Sequence, residues 1–546
     1  MRWRYLLFYL SLIFSTWLLL FRLFEITIIR GSYFRTLSEG NRVKELNIRA
    51  PRGIIYDRHR QVLARNKPVY KWQAADGKWQ IKTNEEAMIL ETQGGSEAAK
   101  LHQDLIREYP WGSILAHVIG YSGEVTEKEI EDSKNKNLIY KIGDNIGRTG
   151  VEEQYENILK GVDGKELIEV DAYGKKISEL GRIEPKPGKD LNLSIDLDLQ
   201  KIAVQELGTN VGSIVVSNPN TGEILSLVSS PSFNSNNLNV QDLNNPSKPL
   251  FNRTIAGLYP PGSTFKIIVA AAGLESGKIN AQTLIEDTGV ITIGPYTFPN
   301  WYWLQYGGKE GQVNVVKAMK RSNDIFFYKV GEMVGVNLLE SWANKFGAGT
   351  ILGIDIPGEA SGTMPTPEWR KNILGTEWYL GDTYHLAIGQ GDLEITPIQV
   401  NFWTNVIANN GKLCKPSLLK SENSILSTKN CKDIGLHKET IDIIKEGMRE
   451  ACSAGGTGWP LFDFKVKDKN IETACKTGTA EYGDAKNKTH AWFTVFAPAR
   501  IATQSVAGGP VNDPEISVTV LVEGGGEGSN VAAPIAKKIL EEWFGR

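Results

Sequence analysis

Tyr259-Pro-Pro-Gly-Ser-Thr-Phe-Lys266 runs directly into Ile267-Ile-Val-Ala-Ala-Ala-Gly-Leu274. The prolines and glycine mark a turn, and the apolar content of Thr264 to Leu274 predicts a buried helix. Spacing i, i+3 then places Ser263 and Lys266 on one face of its first turn. A buried lysine flanked by a second cation can lose its proton near neutral pH and accept one from a serine hydroxyl. The helix start also offers backbone N–H groups and a dipole end that favour a developing oxyanion. The stretch therefore asks for a domain that buries a helix yet opens its first turn to a cleft.

Two further signatures follow, Ser322-Asn-Asp324 and Lys476-Thr-Gly-Thr479, at separations of 59 and 154 residues. Each alone has an ordinary structural reading: Ser-x-x-Lys recurs in helices, and Lys-Thr-Gly-Thr is a strand entering a turn. In this order they form the set shared by penicillin-binding proteins and class A β-lactamases. Lys476 is the candidate second cation beside Lys266.

The surrounding pattern gives the fold class. Gly212–Ser217 and Glu223–Val228 flank Asn218-Pro-Asn-Thr-Gly222, a strand–turn–strand signal. Ala491–Phe496 and Ile516–Val522 read as strands, and Leu199–Glu206 and Ala532–Trp543 as helices. Strands from both ends of the domain around a helical middle imply an antiparallel sheet with helices on its faces, an α+β architecture.

At 546 residues and 41% hydrophobic, the chain can bury two or more cores, and a net charge of −2 gives no sign of a nucleic-acid partner. Met-Arg-Trp-Arg4 precedes an uncharged run from Tyr5 to Phe21, which Leu23, Phe24 and Ile26 to Ile29 extend past Arg22 and Glu25. With no small-residue cleavage signal after it, the run reads as one uncleaved membrane anchor, with a cytoplasmic N-terminus favoured by Arg2 and Arg4. Cys414, Cys431, Cys452 and Cys475 match no strong disulfide or metal framework, and Cys475, pointing away from the cleft, is read as a packed thiol. The six histidines show no metal spacing, so no metal and no cofactor are expected.

Other stretches extend the comparison: Arg52-Gly-Ile-Ile-Tyr-Asp-Arg58, His117-Val-Ile-Gly-Tyr121, Thr366-Pro-Glu-Trp369, Trp378-Tyr-Leu-Gly-Asp-Thr383 and Ala387-Ile-Gly-Gln-Gly391. On these the chain resembles class B penicillin-binding proteins over nearly its whole length, most like the elongation-type penicillin-binding protein 2. The resemblance implies an anchor over 1–29, a β-rich pedestal over 30–188 and a transpeptidase domain over 189–546. Only 50 residues lie between Asn66 and His117, which implies a reduced pedestal head. Asp324 stands where division-type enzymes usually carry Asn, as elongation-type enzymes tend to.

The implied reaction is peptidoglycan D,D-transpeptidation. Ser263 attacks the D-alanyl-D-alanine carbonyl, Lys266 takes the serine proton, and Ser322 relays it to the leaving amine beside Lys476. Backbone N–H groups of Ser263 and Thr479 form the oxyanion hole, the Thr477 and Thr479 hydroxyls hold the substrate carboxylate, and Gly478 keeps the strand edge clear. Asp324 is expected either to face the substrate or to be balanced by Lys476. Implied partners are stem peptides, β-lactams, the membrane and a SEDS-type glycan polymerase with other elongation-complex proteins. Alternatives are a division-type transpeptidase, a D,D-carboxypeptidase, a serine β-lactamase using Glu368 four residues before Asn372, and a non-catalytic β-lactam sensor. The sensor would need a cytoplasmic output domain, and only four residues precede the anchor.

Overall fold

The computed structural model describes residues 2–546 except 75–78, 94–100, 134–139, 172–175, 421–429, 482–487 and 500–512, with backbone alone at 37–41, 73, 79, 102 and 133. The chain divides into two compact units.

One unit takes in residues 1–54, 65–108 and 158–190. Its helix Arg2–Phe24 continues through a wider turn, Glu25–Ile29, and together they are long and apolar enough to cross a membrane. The two charges inside the extension answer each other, because Glu25 pairs with both Arg22 and Arg30. Strands Val43–Ile48, Gly164–Val170 and Lys176–Ile183 form an antiparallel sheet. A second antiparallel group joins residues 65–73 to Leu101–Glu108 and Trp79–Lys82, with helix Asn84–Gln93 between the last two.

The other unit takes in residues 55–64, 109–157 and 191–546. Its centre is a five-stranded sheet of β1 (Gly212–Ser217), β2 (Ile224–Ser230), β3 (Ala474–Glu481), β4 (Thr489–Ala497) and β5 (Ile516–Val522). The spatial order is β2-β1-β5-β4-β3 with every pair antiparallel, so β3, which carries Lys476, is an edge strand. Helices α1 (Leu197–Leu207) and α7 (Ala532–Gly545) cover one face around Ile214, Val216, Val495 and Val520. The opposite face meets α2 (Lys266–Glu275) and α5 (Pro397–Ala408), where Phe265, Trp403, Trp492 and Phe496 pack. Cover on both faces is why β1 and β5 are buried along their whole length, including the polar Ser213, Ser217, Ser517 and Thr519.

Local chemistry sets the boundaries. Asp196 caps α1 by accepting from Leu199 N at 3.0 Å. Asp57, fully buried, accepts from His59 N, Gln61 N and Leu197 N, fixing the turn after Ile55–Tyr56. The amphipathic segment at 152–159 is two short helices, Gly150–Gln154 and Glu156–Leu159, broken at Tyr155, whose hydroxyl donates to Asp355 at 2.7 Å.

The cysteine reading needs correction. Cys414 is bonded to Cys431 and Cys452 to Cys475. Cys475 does point away from Lys476, but the face it enters is where α6 (Lys438–Ala451) ends, and Cys452 follows that helix directly. Their Cα atoms stand 5.8 Å apart, within bridging range.

Candidate active site

Pro261 ends in a tight turn, Gly262–Phe265, of 3-10 type, and α2 begins at Lys266. In a 3-10 turn side chains at i and i+3 eclipse, which puts Ser263 and Lys266 on one side. Gly262 holds φ +54°, and its carbonyl lies so near Gly389 that a Cβ there would stand 2.1 Å from it. Gly262 N in turn donates to Gly389 O at 2.9 Å. The Ala387–Gly391 stretch is thus the cradle of the serine turn, and glycine is required where the two backbones touch.

The second signature is a helix junction. Helix α3 (Val315–Arg321) ends on Ser322 in the left-handed region at φ +53°. Asn323 then caps α4 (Asp324–Val334), its Oδ1 accepting from Phe326 N at 2.8 Å. That reversal turns the Ser322 hydroxyl and the Asp324 carboxylate toward Lys266.

The third signature lies on β3 beside the serine turn. Trp492 Nε1 donates to Pro260 O at 3.0 Å. A Cβ on Gly478 would stand 3.0–3.1 Å from Trp492, Pro261 O and Thr264, so glycine lets the strand and the turn meet. Thr479 is exposed at the strand edge, whereas the Thr477 hydroxyl donates to Thr457 Oγ1 at 2.8 Å.

The three pieces converge on two lysines, each fully buried. Lys476 Nζ donates to Ser322 Oγ at 2.8 Å and to Thr477 O at 3.1 Å. Lys266 Nζ donates to Ser322 O at 2.8 Å, to Ser322 Oγ at 3.4 Å and to Asp324 Oδ1 at 2.5 Å. Its three hydrogens are therefore directed at Ser322 and Asp324 rather than at the half-buried Ser263. Ser322 Oγ stands between two amines.

Asp324 neither faces outward nor pairs with Lys476, the two arrangements expected from the sequence. Its second oxygen accepts from Trp301 N at 2.9 Å, and its own N–H donates to Asn300 Oδ1 at 3.2 Å. The carboxylate is fixed on the Lys266 side by backbone, which overrides the expectation. Burial pushes the Lys266 ammonium below its ordinary pKa, and the Asp324 charge opposes that shift. Lys476 is pushed down well below the ordinary lysine value by burial and by the Lys266 charge, with Asp324 opposing.

Three contributors carry no sequence signature of their own: Asn300, Trp301 and Thr457. Their roles arise only from fold contacts, and an isolated Asn, Trp or Thr carries no spacing to read. Glu368 lies exposed on helix Pro367–Leu374, and among the described residues no hydrogen bond joins it to Ser263, Lys266, Ser322 or Lys476.

Residues 212–541 match the penicillin binding protein transpeptidase domain, and residues 78–193 the penicillin-binding protein dimerisation domain. The chain belongs to the penicillin-binding protein transpeptidase family. It is 32% identical to the peptidoglycan D,D-transpeptidase MrdA of Acinetobacter baumannii, over 94% of this chain and 83% of that protein. It is similar in structure to penicillin-binding protein 2 of Helicobacter pylori in complex with MreC, with a TM-score of 0.77 at 26% identity, covering 92% of this chain and 99% of that one. A chain of a peptidoglycan synthase complex that coordinates polymerization and crosslinking matches with a TM-score of 0.77 at 26% identity, over 99% of this chain and 98% of that one.

Proposed function

We propose that this chain is an elongation-type peptidoglycan D,D-transpeptidase that cross-links stem peptides through an acyl-enzyme on Ser263, with release of D-alanine. The observation that carries the reading is the Lys266–Ser322–Lys476 arrangement beside the serine turn. Ser263 Oγ attacks the carbonyl between the two D-alanines and gives its proton to Lys266 in its neutral form. Ser322, bonded to both amines, passes a proton to the leaving D-alanine nitrogen, and Lys476 resupplies Ser322. The N–H groups of Ser263 and Thr479 receive the oxyanion, donors of a kind worth about 3–4 kcal/mol each. Thr477 and Thr479 hold the terminal carboxylate. An acceptor amine from a second stem peptide then replaces Ser263. β-Lactams enter the same way and leave Ser263 acylated.

Elongation, rather than division, is favoured by the MrdA and penicillin-binding protein 2 likenesses and by Asp324 in the second signature. The chain is read as an anchor over 1–29, a pedestal over 30–188 and a transpeptidase domain over 189–546, with the anchor in the bacterial cell membrane and the catalytic unit outside the cytoplasm. Its partners are elongation-complex membrane proteins, among them a SEDS-type glycan polymerase, a reading supported by the likeness to a synthase complex.

Fluorescent penicillin should label the protein stoichiometrically, and Ser263→Ala should abolish labelling while the protein stays folded. Label persisting in that variant would place the nucleophile elsewhere. Cross-linking of lipid-linked substrate, assayed with and without a glycan polymerase, separates a transpeptidase from a carboxypeptidase, which would release D-alanine without forming dimers.

A further inference from the structure

Behind the reacting groups lies a carboxylate that the mechanism above does not use. Asp287 closes the short strand Ile285–Asp287, is 2% exposed and has no ion-pair partner among the described residues. It is satisfied instead by four N–H donors. Oδ1 accepts from Gly289 N at 2.7 Å, and Oδ2 accepts from Asn300 Nδ2 at 2.8 Å, Asn323 Nδ2 at 2.9 Å and Glu310 N at 3.0 Å. Bonds to an ionised acceptor are the strong ones, and a buried carboxylate without a cation depends on them.

Two of those donors reach the site by their other ends. Asn300 Oδ1 accepts the Asp324 N–H, and the next residue, Trp301, donates its N–H to Asp324 Oδ2. Asn323 sits between Ser322 and Asp324 and caps α4. The Oδ1 contact with Gly289 is an ordinary turn bond. The Oδ2 contacts with Asn300 and Asn323 are not local, and they bind both sides of the Asp324 backbone to one oxygen.

We propose that Asp287 is a positioning residue for acyl transfer: through Asn300 and Asn323 it holds the Asp324 carboxylate on Lys266 and the Ser322 hydroxyl between the two lysines. The inference rests on the reading of Ser263 as the acylated residue. The groups facing Lys266 are Asp324 from α4, Ser322 from the α3–α4 junction, Lys476 from β3 and the Phe327 ring at 5.4 Å. Among the described residues only Asp324 stabilises its charge by ion pairing. If Asp324 drifts, Lys266 loses that support and releases its proton at lower pH.

The test measures the acylation rate constant of the full-length protein with fluorescent penicillin across about pH 6–10, for wild type, Asp287→Asn and Asn300→Ala. Asp287→Asn replaces one acceptor oxygen by an amide that opposes the donors. Asn300→Ala cuts one link and leaves Asp287 three donors. Both should lower the limiting rate constant at least about tenfold and move the midpoint of the rising limb down by about one pH unit. The double variant should be little worse than the more severe single one, because both act along one chain. Misfolding lowers the amplitude of labelling and leaves the rate constant of the remainder unchanged, so the midpoint reports on the site. An unmoved midpoint overturns the proposal, whether or not the rate falls, and leaves Asp287 a fold residue. If Asp287→Asn yields no acylable protein, Asn300→Ala decides by the same criterion. Wild type that is not acylated on Ser263 overturns the earlier reading instead, before any variant is compared.

Discussion

Asp324 Oδ1 stands 2.5 Å from Lys266 Nζ, and the Asp324 backbone N–H and second oxygen are both tied to Asn300 and Trp301. The lysine proposed as the base thus rests against a carboxylate that favours its charged form. Burial works the other way and lowers its proton affinity. The balance of the two sets the pH at which Ser263 is activated.

The acylation rate of the wild type should rise with pH as Lys266 loses its proton. Because burial lowers that group, the midpoint should fall below the free-lysine value of about 10.4. Lys266→Ala should lose the limb and several orders of magnitude in rate, since an unactivated serine is a poor nucleophile at neutral pH. A flat profile in the wild type would remove Lys266 from the role of base.

Asp324→Asn removes the group that raises the Lys266 pKa, so the limb should move to lower pH. β-Lactam acylation should persist within about an order of magnitude, while peptide cross-linking, which needs repeated proton transfers, falls further. If both activities drop to the level of Ser263→Ala, Asp324 itself takes part in activating the serine.

Replacing Cys452 and Cys475 together by alanine should cost about 2–4 kcal/mol of stability, measured by denaturant unfolding. It should also slow acylation, because the bridge lies one residue from Lys476 and its loop carries Thr457, the partner of Thr477. The corresponding Cys414 and Cys431 pair joins short strands Lys412–Cys414 and Cys431–Asp433, which carry no site residue. Its loss should lower stability and leave the acylation rate constant unchanged. Equal effects of the two double variants on acylation would contradict this division.

Gly478→Ala inserts a methyl group 3.0–3.1 Å from Trp492, Pro261 O and Thr264. The strand must then part from the serine turn by a few tenths of an ångström. Acylation should fall about tenfold or more, because oxyanion donors act only in register. A crystal structure of the variant with an unshifted strand and a normal rate would contradict this requirement for glycine.

The three signatures were legible because each reaction role demands a residue type at a fixed local spacing. Sheet and helices were legible from apolar runs long enough to be covered on both faces. That Asp324 lies near both lysines follows from the resemblance, but its pairing with Lys266 rather than Lys476 does not, since only the left-handed Ser322 turn aims the carboxylate that way. Asp287, Asn300 and Trp301 were invisible for a related reason. Each works through one contact made by the fold, and no periodicity marks such a contact. Cysteine pairing failed differently: four cysteines allow three connectivities, and the face that Cys475 enters says nothing of which helix end waits there.

The Cys452–Cys475 bridge also bears on how the protein should be prepared. Bonds of this kind form and persist where thiol reductants are scarce. Chain produced in a reducing cytosol would carry two thiols beneath the strand of Lys476, and its β3 edge would be held by hydrogen bonds and packing alone. Reactivity toward penicillin is then a property of oxidation history as well as of sequence. Batches that differ in mass only by the two hydrogens gained at each opened bridge, four in all, would titrate with different fractions of competent enzyme.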